Sequence, residues 1–292
     1  MKDLLLGAAD LYSWKDIKVW AASARASGFD GDIILLTYRV DEDVFVKSEK
    51  FAINVYTIDY NAFGRAISHN DKGRNTQCHQ LRFFHMWQLL TNDNLWKNYE
   101  HIISTDVRDV WFQQNPQEFL KPHGSSIFET MNGYSLLASS EGIKYKDEPW
   151  GYENMINGFG PIVWQVAQNW TIYNVGVLAG KSKDMTDLFL TLYSMTQNRY
   201  IPSDQSSYGI LVNSSMSSKF ALVDHYNEWA CQCGTTMDPT KSQLWPSLIT
   251  PQPIIENDVV LSMPSKQPFS IVHQYDRVPE LNNYVISLYE KE

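Results

Sequence analysis

The chain has 292 residues, 33 Asp and Glu against 24 Lys and Arg, a formal net charge of −9 at pH 7 and a 43% hydrophobic share. That length suffices for a sizeable core, and an acidic chain without clustered Lys and Arg excludes sequence-independent nucleic-acid binding. The three cysteines, Cys78, Cys231 and Cys233, have no CxxC pairing, so neither a disulfide framework nor a structural zinc site is indicated and a reducing cytoplasm is expected.

In chain order, Leu4-Leu5-Leu6 reads as a first buried strand, with a turn at Ala8-Ala9-Asp10 and a helix over Trp14 to Ser27 that Gly28 caps. Residues 32–38 and 52–58 are two further apolar strands, which gives the β-α-β alternation of a mostly parallel open sheet flanked by helices. A helix over Gln80 to Leu90 precedes the strand His101 to Asp106, which ends on a carboxylate. Residues 121–170, with several Gly and Pro, read as an irregular acceptor-side excursion. Strand Ile172 to Leu178 and helices Asp184 to Gln197 and Asp204 to Val212 follow, with Asp204 placed to N-cap its helix. An extended Pro-rich tail over 251–268 leads to strand Phe269 to His273. No run of about 18 apolar residues offers a transmembrane segment, which leaves peripheral contact as the one membrane association open to the chain. The sequons at Asn169 and Asn213 are read as chance.

The chemistry concentrates at two places. Asp106 and Asp109 follow an apolar strand, at the carboxyl edge where open α/β sheets bind ligands. A hard divalent cation, Mn²⁺ or Mg²⁺, takes one or two carboxylates together with phosphate oxygens and water, so such a pair suits a diphosphate. Far along the chain, His273 ends the last expected strand, and Arg277 lies four residues on. Imidazole is a suitable third ligand for Mn²⁺, and a guanidinium neutralises phosphate.

Six segments together resemble the family-eight glycosyltransferases, the glycogenin and bacterial lipooligosaccharide galactosyltransferase type. They are Gly7 to Tyr12, Arg82, Thr105-Asp106 to Asp109, Tyr173 to Val177, Asp204-Gln205, and His273, in the family's order. The resemblance implies one GT-A domain over 1–292, with a Rossmann-like nucleotide-sugar half at about 1–115 and an acceptor and catalytic half at about 116–292. It further implies that Ala8, Asp10 and Tyr12 hold the base, and that Arg82 reaches the donor phosphate or sugar. Asp106, Asp109 and His273 would bind the metal, Asn174 would face the donor sugar, and Asp204 with Gln205 would lie beneath the anomeric carbon. Arg277 would stand where the family's tail carries a phosphate-binding Lys. Two residues separate the aspartates here, whereas the family's Asp-x-Asp has one between, and the tail reads Tyr275-Asp276-Arg277-Val278-Pro279 in place of Lys-Pro-Trp.

The function implied is metal-dependent transfer of a hexose or pentose from a nucleotide-diphosphate sugar to a glycan or glycoconjugate hydroxyl, with retention favoured over inversion. An inverting reaction requires a general base, for which Asp204 is the first candidate. Two other readings stay open. Trp150, Trp164, Trp170, Trp229 and Trp245 suit a non-catalytic carbohydrate-binding protein. A sugar nucleotidyltransferase is the other, although no Gly-rich basic loop follows the first strand.

Overall fold

The α/β architecture is present in the computed structural model, in which residues 1–59, 78–131, 133–197, 199 and 201–292 are described. The first half holds β1 (Lys2–Ala9), α1 (Trp14–Ala26), β2 (Asp32–Thr37), β3 (Ile53–Thr57), α2 (Cys78–Thr91), β4 (Tyr99–Thr105) and β5 (Val110–Phe112). Then come β6 (Leu136–Lys144), α3 (Pro149–Ala167), β7 (Thr171–Lys181), α4 (Ser182–Thr196), α5 (Asp204–Ile210) and β8 (Phe220–Val223). The chain closes with β9 (Ala230–Gln232), β10 (Ile254–Glu256), β11 (Val259–Leu261), β12 (Ile271–His273) and α6 (Pro279–Leu288).

Seven strands form the central sheet in the order β3-β2-β1-β4-β7-β6-β8. β7 alone runs against its neighbours β4 and β6; the other pairings are parallel. Strand periodicity divides the apolar residues between two faces. Leu5, Ile33, Leu35, Ile103, Leu137 and Val177 pack on one side with Trp14, Ile17 and Trp20 of α1. Leu4, Leu6, Ile34, Leu36, Ile102 and Leu178 pack on the other with Phe83, Met86 and Leu90 of α2 and Leu188, Phe189 and Leu192 of α4. A sheet covered on both faces needs this continuous apolar run in its strands, as the sequence has.

Local chemistry fixes α1 at both ends. The Ser13 backbone N–H donates to the Asp16 carboxylate at 2.9 Å, and past the C-terminus Gly28, at φ +94°, donates its N–H to the Arg25 carbonyl at 3.0 Å. That left-handed backbone favours glycine.

Three expectations are corrected. Ala8 and Ala9 continue β1, and the chain turns at Asp10 and Leu11. Residues 121–170 are not irregular: they contain β6 and α3. β6 escapes an apolar-run reading because Ser139, Ser140 and Glu141 are buried within it, and α3 continues past a break at Gly160 (φ 82°, ψ 173°), from which Pro161 restarts it. The tail over 251–268 is not simply extended, since β10 and β11 pair as an antiparallel hairpin within it.

His225 is wholly buried, and burial pushes its imidazole pKa down to about 4 against an ordinary 6.5, despite the opposing pull of the Pro251 backbone carbonyl, which accepts from the ring. Its contribution to stability is complete above pH 6.5, where folded and unfolded chains both carry the neutral ring. As the pH falls toward 4 the unfolded chain takes up a proton that the folded chain refuses, and that contribution is lost. At pH 5 the loss is expected to be about 2 kcal/mol. Urea unfolding at pH 8 and pH 5 checks this: His225→Leu is expected to lose less stability across the interval by that amount, and equal losses would refute it.

Candidate active site

β4 delivers Asp106 just past its last residue, where the Asp106 backbone N–H donates to the Gly176 carbonyl of β7 at 2.8 Å. Three residues later Asp109 opens onto β5, which pairs antiparallel with β12 so that Val110 faces His273. This pairing brings the distant segments of the sequence together. His273 Nε2 lies 3.5 Å from Asp106 Oδ2 and 3.7 Å from Asp109 Oδ1, and the three groups each offer a ligand atom within 4.8 Å of the others.

The imidazole is held from behind, where its Nδ1 lies 2.7 Å from Gln232 Oε1 on β9, a contact in which the ring N–H donates. Nε2 is thereby left facing the carboxylates, buried and without a hydrogen-bond partner. An orphaned imidazole nitrogen between two carboxylates fits a divalent cation. Among the described residues Asp3, Glu100 and His101 also converge. There the Lys121 ammonium already sits 2.9 Å from Asp3 and 3.1 Å from Glu100, and both His101 nitrogens are engaged, by Asp3 and by Ser126.

Arg82 projects from α2 between two acids: its guanidinium donates to Asp106 and lies 3.6 Å from Asp204 Oδ2. Burial opposes ionisation of Asp106, yet Arg82 and His273 hold its carboxyl well below the usual range. Burial, with the charge of Asp106 added, raises Asp109. For His273 burial works downward, but Asp106 and Asp109 outweigh it and raise the imidazole. A compact arrangement of two acids and a basic ring stabilises positive charge at its centre.

These groups border a cavity of about 520 Å³. Of the residues singled out from the sequence, Arg82, Asp106, Asn174, Asp204, Gln205, His273 and Arg277 line it. Asp109 is buried beside it without lining it. Ala8, Asp10 and Tyr12 are outside this lining, and the buried Asp10 carboxylate receives Arg39 through Nε at 2.9 Å and the terminal nitrogen at 2.7 Å. Asp204 is the first residue of α5 and does not cap it; Ser203 occupies the cap position, and Asp204 turns to Arg82. Gln205 is clamped to β7, donating to the Tyr173 carbonyl at 2.6 Å and accepting from the Val175 N–H at 3.0 Å. Asn174 accepts from the Gly176 N–H at 2.7 Å and donates to Glu141 at 2.8 Å.

Sequence reasoning missed Glu141, Gln232, Thr235, Asp238 and Lys241. Glu141 is buried in β6, where burial raises its carboxyl although Thr235 and Asn174 hydrogen-bond it. Its signal was an acid inside a strand, hidden by the irregular reading of that segment. The tryptophans are dispersed: Trp150 lines the cavity, whereas Trp229 is wholly buried and Trp164 packs on Tyr152 at 4.7 Å. Asn213 of the second sequon donates to the Thr171 and Gly209 carbonyls.

Outer-shell partners of metal-bound histidines typically govern 10- to 100-fold in metal affinity. Gln232→Leu is accordingly expected to weaken Mn²⁺ binding by roughly tenfold or more, measured by isothermal titration. Unchanged affinity would show that the hydrogen bond to Nδ1 does not orient the ring.

No protein-family model matches the chain, and no curated protein does. Solved structures do match in fold. One is the galactosyltransferase LgtC in complex with donor and acceptor sugar analogues, at TM-score 0.52 and 14% identity, covering 92% of this chain and 86% of that one. Another is an active-site mutant of LgtC with glutamine changed to glutamate, at TM-score 0.50, 12% identity and the same coverage. The chain thus has the GT-A fold that the sequence resemblance implied. Among the described residues no helix is long and apolar enough to cross a membrane.

Proposed function

We propose that this protein is a metal-dependent glycosyltransferase, which moves a hexosyl or pentosyl group from a nucleotide-diphosphate sugar to a hydroxyl of a glycan or glycoconjugate. The observation that carries the reading is the meeting of Asp106, Asp109 and the unpartnered His273 Nε2 beside the cavity. The galactosyl transfer named for LgtC supports the reaction class, as does the agreement in fold.

Asp106, Asp109 and His273 would hold Mn²⁺ or Mg²⁺, which when bound supplies positive charge to the leaving diphosphate. Arg277, exposed at the cavity and 3.5 Å from Asp276, adds a cation for the same phosphates. Arg82, held between Asp106 and Asp204, fixes both carboxylates beneath the donor. Asn174 and Gln205 are tied to the β7 backbone, so their polar groups meet the sugar without first being ordered. Ala8, Asp10 and Tyr12 would lie toward the base, beyond the cavity proper.

We infer retention of configuration, with the acceptor hydroxyl approaching the face from which the diphosphate leaves. Direct displacement needs a base, and Asp204, the first candidate, has its charge compensated by Arg82 at 3.6 Å. The test is incubation with a panel of nucleotide sugars with and without Mn²⁺, following diphosphate release and the anomeric configuration of product by NMR. Mn²⁺-dependent release of nucleoside diphosphate with a retained anomer is expected. Pyrophosphate release from a nucleoside triphosphate would replace this reading with nucleotidyl transfer, and glycan binding without nucleotide-sugar binding would replace it with a lectin-like role.

A further inference from the structure

A second group of potential ligands lies apart from the carboxylates, and it consists of sulfur. Cys231 is in β9 and Cys233 opens the short helix Cys233–Thr236 that follows. Residues two apart on an extended segment share a face. Met237 comes one helical turn later and donates its backbone N–H to the Cys233 carbonyl at 2.9 Å. These two spacings set three sulfurs around one point: Cys231 Sγ to Cys233 Sγ 3.6 Å, Cys231 Sγ to Met237 Sδ 3.9 Å, and Cys233 Sγ to Met237 Sδ 3.8 Å.

We propose that Cys231, Cys233 and Met237 form a three-sulfur site for a soft monovalent metal ion, copper(I). An ion about 2.3 Å from each of three sulfurs in a trigonal array spaces them about 4 Å apart, close to the separations here. Two thiolates and a thioether select a soft ion and reject the hard Mn²⁺ or Mg²⁺ of the carboxylate site. Both thiols are wholly buried, whereas Met237 is partly exposed, so its thioether lies on the side from which an ion enters. On binding, one copper(I) replaces two thiol protons, which pass to solvent, with no change in oxidation state. The site is joined to the catalytic region through Gln232, which lies between the two cysteines and holds His273.

The experiment is anaerobic titration of the intact protein with copper(I) against a chromophoric copper(I) chelator, with silver(I) as a redox-inert second probe. One equivalent is expected to be withheld from the chelator, with sulfur-to-copper charge-transfer absorption in the near ultraviolet. Met237→Leu, nearly equal in volume, is expected to weaken binding by roughly tenfold, and Cys231→Ser to abolish it. Cys78→Ser is expected to bind as the native protein does, since Cys78 packs in a different part of the core. The proposal is overturned if native protein and Met237→Leu yield copper(I) to the chelator equally, or if Cys78→Ser removes the withheld equivalent. These readouts do not depend on glycosyl transfer.

Discussion

Asp109→Asn is expected to lower Mn²⁺-dependent release of nucleoside diphosphate by on the order of 10³-fold, about 4 kcal/mol at the transition state, while the protein stays folded. The substitution preserves size and removes one of the two carboxylates whose oxygens lie within 4 Å of His273 Nε2. Asp109 makes no ion pair with Arg82, so its loss isolates the proposed cation-binding role. Asp106→Asn is expected to be as damaging to activity and also to destabilise the fold, because it strips the buried Arg82 of its nearer partner. Diphosphate release and thermal unfolding measured on both variants distinguish the two effects. Turnover within threefold of native for Asp109→Asn would remove this carboxylate from the reaction.

The second large effect is expected from a single methyl group. A Cβ added at Gly176 would lie 2.5 Å from His273 Cε1 and 2.9 Å from both Asn174 Oδ1 and Asp106 Oδ2. None of these atoms belongs to a free chain end: His273 is tied to Gln232, Asn174 to Glu141 and Asp106 to Arg82. Gly176→Ala must therefore displace the ring and the carboxylate together. Misplacement of about 1 Å at a reacting centre costs roughly 10²-fold, and at least that loss is expected here. Circular dichroism is expected to remain native, since an extended strand accommodates alanine readily. Native activity and Mn²⁺ affinity in Gly176→Ala would show that the close approach of these groups has no part in function.

Much of this arrangement could be read before any coordinates. The apolar strands around Leu5, Ile34 and Ile103 announce the sheet because each is covered on both faces. The aspartates and His273 could be named from residue type and position at strand ends. Their meeting depends on β5 pairing with β12, and no local propensity encodes a contact across that span. Glu141 and Gln232 were hidden for a related reason: a buried polar residue in a strand resembles a loop residue until its partners are known. Asp204 was ambiguous because an acid at a helix start serves a cap or a distant cation equally well, and Arg82 decides it. The sulfur cluster was obscured by counting cysteines alone, since its third member is a methionine.

β7 runs against β4, and this orientation has an evolutionary consequence. Asn174, Val175 and Gly176 belong to the interior of β7, not to a loop beyond its end. These cavity-bordering groups are thus fastened to the part of the molecule least tolerant of insertion, whereas Trp150 and Lys241 border the same cavity from helical segments. Descendants of this protein can exchange those two side chains without rebuilding the centre.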